Sequence, residues 1–132
     1  MLIDKYPHEE WNWITLSMNV DPDTFKKYVD FSWDWYYMAR YNKSINYRLL
    51  VERCSDQRAF DYISMRLTQI NIIVDNPTAP WNWNRLSCNA HLPIEKILDH
   101  ENLSWNWDSF RYRIHKKSKH KNQVGLENFI FE

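Results

Sequence analysis

The chain has 132 residues with 17 basic and 17 acidic side chains, and this balance of charge selects no class of partner. Aromatic residues make up 17%, including eight Trp, which is enough to build the core of one domain from large rings. The single glycine, Gly125, excludes glycine-rich phosphate loops and dinucleotide fingerprints, and it disfavours a β-sandwich or barrel with many tight turns.

The first ten residues are polar and charged, and they predict an N-terminal arm without a secretory signal. No apolar run approaches the roughly 20 residues that a membrane-spanning helix needs. Cys54 and Cys88 are isolated from each other, which predicts buried free thiols in a reducing compartment.

All eight tryptophans fall in four copies of one tripeptide, Trp-Asn-Trp or Trp-Asp-Trp. The copies are Trp11-Asn12-Trp13, Trp33-Asp34-Trp35, Trp81-Asn82-Trp83 and Trp105-Asn106-Trp107. Their first tryptophans are 22, 48 and 24 residues apart, and the double gap predicts a degenerate copy at Arg58-Ala59-Phe60, with Phe60 in the place of the second Trp. Five copies at a near-constant spacing predict a tandem repeat.

Each repeat reads as two short helices. The middle Asn or Asp of the motif is a typical N-cap, so the second Trp is expected to begin the first helix. Asn19, Asn42 and Asn89 follow these helices and suit a left-handed helix stop. Asp21-Pro22 is a typical start for a second helix, and Ser44 and Thr68 are the caps expected in the next two copies.

The predicted fold is therefore all-α, a small α-solenoid of short tandem helix-pair repeats. The expected organisation is an N-terminal arm (1–10), repeats at about 11–32, 33–57, 58–80 and 81–104, a partial repeat at 105–113, and a basic tail (114–132) with the apolar end Phe129-Ile130-Phe131.

The aromatic residues of the motifs are interpreted as the structural core of the repeat, and an exposed platform for sugars is the alternative. These residues are Trp11, Trp13, Trp33, Trp35, Phe60, Trp81, Trp83, Trp105 and Trp107. A basic run near the C-terminus could contact an anionic partner through Arg111, Arg113, Lys116, Lys117, Lys119 and Lys121, or could be a solvated tail. The His and Cys residues lack the spacing of a metal site, no catalytic set can be assembled, and no cofactor is expected.

A resemblance to known proteins rests on three segments: Pro80-Trp81-Asn82-Trp83, Leu86-Ser87-Cys88-Asn89 and Trp105-Asn106-Trp107. They resemble the Trp-Asn/Asp-Trp repeat of proteins encoded by giant double-stranded DNA viruses of the marseillevirus and mimivirus type. Asp75-Asn76-Pro77 resembles the inter-repeat segment of the same proteins, and the likeness covers about three quarters of the chain. The third copy departs from the pattern because it lacks both tryptophans.

The resemblance implies a viral protein without catalytic residues, expressed in the cytoplasm of infected cells. The leading hypothesis is a non-enzymatic structural or assembly protein, such as a minor capsid or other virion component, that binds other viral proteins. One alternative is an interaction module that binds a host protein in infected cytoplasm. Another is a nucleic-acid-associated protein that uses the basic tail. Neither a cofactor nor a membrane span is expected, and the oligomeric state is left open.

Overall fold

The computed structural model describes residues 5, 6 and 8–121, with side chains as far as Ile114. Within this part of the chain the secondary structure is helical and contains no strand, so the all-α prediction is confirmed. The helices are α1 (Trp13–Asn19), α2 (Pro22–Lys27), α3 (Trp35–Tyr41), α4 (Tyr47–Arg53), α5 (Gln57–Arg66), α6 (Ile70–Asp75), α7 (Trp83–Cys88), α8 (Ile94–Leu98) and α9 (Trp107–Lys121).

The described residues divide into two compact units: those up to residue 63 together with 78–80, and residues 64–77 together with those from 81 onward. In the first unit α1 packs against α3, and α3 also contacts α4. In the second unit α7 packs against α9. The first helices of neighbouring repeats therefore lie directly against each other within each unit.

The middle residue of each Trp motif caps the helix that follows it. Asn12 Oδ1 accepts a hydrogen bond from the backbone amide of Thr15 at 3.1 Å. Asp34, Asn82 and Asn106 accept bonds in the same register, from the amide three residues later. Each bond satisfies one of the free amides of a first helical turn, so the predicted caps are confirmed.

The third copy is shifted from its expected register. Asp56 Oδ1 accepts a hydrogen bond from the amide of Ala59 at 3.1 Å, and α5 begins at Gln57. The start expected from Arg58-Ala59-Phe60 was therefore three residues too late, because Asp is a far better cap than Ala. Phe60 is fully buried inside the resulting ten-residue helix.

The asparagines after the first helices do not form left-handed stops, and this prediction was wrong. Asn42 has φ −83° and ψ 110°, and Asn89 has φ −70° and ψ 106°, both in the extended region. Asn19 is the last residue of α1, and the extended residue Val20 follows it. Two of these side chains are used instead to hold neighbouring repeats together, as described below.

The starts of the second helices agree with the sequence in part. Asp21 caps α2, as predicted. Asn46 caps α4 in place of Ser44, whose backbone amide donates to the side chain of Asn42. Gln69 stands before α6 in place of Thr68 and makes no side-chain capping bond.

The last helix is longer than the partial repeat expected at 105–113. Because α9 continues to Lys121, residues 114–121 of the predicted tail extend this helix. Residues 122–132, with Phe129-Ile130-Phe131, lie outside the described residues, as do residues 1–4 and 7 of the predicted N-terminal arm. Among the helices described, none combines the length and the apolar character that crossing a bilayer requires.

Candidate interaction surface

The first tryptophan of each motif closes the loop that precedes it. Its indole Nε1–H donates to the backbone carbonyl five residues earlier, at 2.7–2.9 Å in all four copies. Trp33, Trp81 and Trp105 are each only 5% exposed, whereas Trp11 is half-buried. The polar edge of these indoles is thus already satisfied within the fold, as buried indole nitrogens require.

The second tryptophan of a motif packs against the first tryptophan of the next motif. Trp13 meets Trp33 edge to face with ring centroids 5.2 Å apart, and Trp83 meets Trp105 in the same way at 5.3 Å. Edge-to-face contacts at this distance are favourable for aromatic rings. The second tryptophans, Trp13, Trp35, Trp83 and Trp107, are half-buried.

Buried asparagine amides link neighbouring repeats. Asn42 Nδ2 donates to the carbonyls of Ser17 at 3.0 Å and Val20 at 2.9 Å. Asn89 Nδ2 makes two equivalent bonds of 2.9 Å to the carbonyls of Ser64 and Leu67. Each asparagine thereby satisfies backbone carbonyls left over at the end of the preceding copy's first helix.

A buried serine hydroxyl adds a second link of the same kind. Ser17 Oγ accepts a hydrogen bond from the backbone amide of Asp34 at 2.8 Å. Ser64 and Ser87 accept from the cap residues Asn82 and Asn106 in the same manner. The sequence marks these positions only as small residues, and their role depends on the neighbouring copy.

The link between the second and third copies is different. Ala39 of the second copy stands where the first, third and fourth copies have the linking serine, and the amide of the third copy's cap residue Asp56 donates instead to Cys54 Sγ at 3.3 Å. Burial raises the pKa of the Cys54 thiol to about 11. Both cysteines are free thiols, but Cys88 is exposed, so the expectation of burial was wrong for Cys88.

A second set of aromatic side chains, outside the Trp motifs, lies at the surface. We call it the Tyr–Arg surface; it comprises Tyr36, Tyr37, Arg40 and Tyr41 of α3 together with Arg58 and Tyr62 of α5. All six residues belong to the first unit. Both arginines are exposed, Tyr41 is 46% exposed, and the other tyrosines are half-buried.

Tyr36 lies at the centre of the Tyr–Arg surface. The guanidinium carbon of Arg58 stands 4.3 Å from the centroid of the Tyr36 ring. Arg40 donates a hydrogen bond to the Tyr36 hydroxyl and lies 5.9 Å from the centroids of both Tyr36 and Tyr62. The bond to Tyr36 raises the pKa of Arg40, so this side chain is firmly cationic.

The outer part of the surface is also built from rings. Tyr37 stacks on Tyr41 with centroids 5.6 Å apart, and Arg40 lies 5.2 Å from the centroid of Tyr41. Tyr36 and Tyr62 meet edge to face at 6.1 Å, which joins the α3 and α5 parts of the surface. Met38 and Ala39 of α3 are buried, so the helix that carries these tyrosines is also packed against the core.

The predicted basic run does not form a comparable surface among the described residues. Arg111 pairs with Asp108 at 3.9 Å. Arg113 is half-buried, donates to the carbonyl of Leu92, and has its pKa lowered by desolvation. The side chains of Lys116, Lys117, Lys119 and Lys121 lie outside the described residues, although their backbone belongs to α9.

One open cavity of about 430 Å³ lies in the first unit, lined by Val29, Asp30, Phe31, Trp35, Glu52, Arg53 and Ser55. In the part of the chain with described side chains, no three His, Cys, Asp or Glu residues are grouped so that they could hold a metal ion. No known family model, curated protein or solved structure matches the chain.

Proposed function

We propose that this chain is a non-enzymatic repeat protein that binds a protein partner through the Tyr–Arg surface. The observation that carries the proposal is the concentration of four tyrosines and two arginines on two adjacent helices, with both arginines exposed. Tyr and Arg are enriched among the residues that contribute most to binding in protein interfaces. Tyrosine also offers a large contact area at a low cost in conformational entropy.

The same proposal assigns a structural role to the Trp motifs, in a small α-solenoid of stacked helix pairs. It is supported by the recurrence of the same links, since Ser17, Ser64 and Ser87 each accept from the next cap residue. A short helix pair cannot bury its apolar faces alone, so stacking of neighbouring copies supplies the core.

The biological setting that we propose is the assembly of a virus particle, with the chain as a minor capsid or other virion component. The support is the resemblance of the four Trp motifs to repeats of giant-virus proteins. Binding of a host protein in infected cytoplasm is the alternative. Mass spectrometry of purified particles separates the two, because absence of the chain from particles would contradict a virion component.

Nucleic-acid binding through the basic run has less support. Arg113 donates to a backbone carbonyl and Arg111 pairs with Asp108, so two of its six cations are engaged within the fold. A partner that reads phosphates needs such side chains to be free.

Site-specific photo-crosslinking in cells that naturally express the chain tests the proposed function. A benzophenone amino acid replaces Tyr41 on the Tyr–Arg surface, or Ile14 on α1 as a control, because both side chains are 46% exposed. We expect discrete protein adducts from position 41 that are absent from position 14. No adduct at position 41, or the same adducts at both positions, would contradict the proposed site.

A further inference from the structure

The two arginines of the Tyr–Arg surface are held in place without an acidic partner. Arg58 lies over the Tyr36 ring, and Arg40 is fixed by the Tyr36 hydroxyl and by the rings of Tyr41 and Tyr62. Among the described residues, no carboxylate forms an ion pair with either guanidinium. Both guanidinium groups are therefore exposed and lack an acidic partner within the described part of the chain.

This arrangement suits the binding of carboxylates. A guanidinium presents a planar fork of N–H donors that matches both oxygens of a carboxylate. Arg58 lies over the Tyr36 ring and keeps its N–H edge available, whereas Arg40 uses one Nη1 donor on the Tyr36 hydroxyl and retains the others. Contacts with the tyrosine rings also reduce the freedom that Arg40 and Arg58 would lose on binding. The Tyr36 hydroxyl, which accepts a hydrogen bond from Arg40, still carries a hydrogen that it can donate to a carboxylate.

The ring contacts and the small number of cations in the Tyr–Arg surface favour an acidic protein segment over a single-stranded nucleic acid as its ligand. Nucleic-acid platforms offer free aromatic faces to successive bases beside a continuous cationic groove. Here Tyr36 is already in contact with Arg58, Tyr37 and Tyr62, and Tyr37 is stacked on Tyr41. Two cations on one compact patch match a few carboxylates rather than a run of phosphates.

We propose that the Tyr–Arg surface binds an acidic segment of the protein partner, with Arg40 and Arg58 each holding a carboxylate of an Asp or Glu side chain. This inference rests on the proposed function and names the chemistry of its partner. It also implies an interaction that weakens with salt, because exposed ion pairs are screened.

Fluorescence polarisation with a labelled oligoglutamate peptide tests the inference directly. The double variant Arg40→Gln/Arg58→Gln removes both forks, and the control Lys26→Gln/Lys43→Gln removes the same charge from exposed positions elsewhere in the first unit. We expect Kd to rise at least about tenfold for the arginine variant and less than about twofold for the control. No binding by the unaltered chain, or equal losses in both variants, would overturn the inference.

Two further measurements test the role of guanidinium geometry and the class of ligand. The variant Arg40→Lys/Arg58→Lys keeps both charges but lacks the planar fork, so we expect weaker binding than in the unaltered chain. Equal binding would refute the assignment of one carboxylate to each fork. An oligouridine that binds more tightly than oligoglutamate through the same arginines would overturn the inference in favour of a nucleic acid.

Failure of this inference is distinguishable from failure of the proposed function. If position 41 still crosslinks its partner in the Arg40→Gln/Arg58→Gln background with unchanged yield, the surface binds a protein by other contacts. That result overturns the acidic segment alone. Loss of the adduct only in this background supports both proposals.

Discussion

Asparagine performs two different tasks in this chain, and burial distinguishes them. Asn12 is exposed and caps the helix that follows it. Asn42 and Asn89 are buried, and each donates to two carbonyls of the preceding copy. A buried amide is tolerated only when its donors and acceptors are satisfied, so these links also fix how one copy meets the next.

Replacement of Asn89 by Ala should lower the free energy of unfolding by about 2–4 kcal/mol, because it leaves the carbonyls of Ser64 and Leu67 without their buried donor. It also removes the acceptor of the His91 amide. Asn19→Ala is the matched control, since that exposed side chain bonds only within its own helix, and it should cost less than about 1 kcal/mol. Urea denaturation followed by circular dichroism measures both, and equal losses would contradict the linking role.

The two cysteines should react at very different rates. Burial raises the pKa of Cys54 to about 11, whereas Cys88 is exposed. Near pH 8 iodoacetamide should therefore modify Cys88 in the folded protein and reach Cys54 only after denaturation. Mass spectrometry of the native chain and of Cys88→Ser checks this prediction. Rapid modification of Cys54 in the folded protein would contradict the protection of this thiol by burial.

The raised pKa of Cys54 also has a defined effect on stability. The folded state holds the thiol proton of Cys54 more tightly than the unfolded state does. The resulting contribution to the free energy of unfolding is therefore fully present below the ordinary thiol pKa. It is lost as the pH rises through about 11. Cys54→Ser should flatten the alkaline part of the stability profile relative to Cys88→Ser, measured by urea denaturation across that range.

At the scale of the helix, local sequence signals predicted most of the structure. A cap followed by an aromatic first turn is a local signal, and α1, α3, α7 and α9 begin where it predicts. The third copy has no Trp to mark its register, so its pattern predicted a helix beginning at Phe60, whereas Asp56 caps a helix that begins at Gln57. The cap expected at Ser44 failed because the Ser44 amide is taken by Asn42, a tertiary contact that no local pattern reveals.

Replacement of the cap Asn12 by Ala should cost about 1 kcal/mol of stability, because the Thr15 amide loses its acceptor. Asn12→Asp should retain stability, since Asp34 fills the same place in the second copy and a negative charge suits a helix N-terminus. Thermal and urea unfolding of the two variants would test this. A loss as large for Asp as for Ala would rule out capping by the side chain.

At the scale of the whole molecule, the all-helical class was predictable and the Tyr–Arg surface was not. The near-constant spacing of the Trp motifs and the capping residues within them are visible in the sequence alone, and together they predicted the helical class of the chain. The surface joins Tyr36 and Arg40 of one copy to Arg58 and Tyr62 of the next, so it exists only once α3 and α5 are placed together. The only local signal was the four-residue spacing of Tyr37 and Tyr41, with Arg40 four residues after Tyr36.

The structural role of the Trp motifs is tested most directly by comparing Trp81→Ala with Trp11→Ala in urea denaturation. Both indoles donate to a carbonyl five residues earlier, but Trp81 is 5% exposed and Trp11 is half-buried in the first copy. We expect a loss of about 3–5 kcal/mol in the free energy of unfolding for Trp81→Ala and less than half of that for Trp11→Ala. A Trp81→Ala protein as stable as the unaltered chain, or equal losses at the two positions, would contradict this structural role.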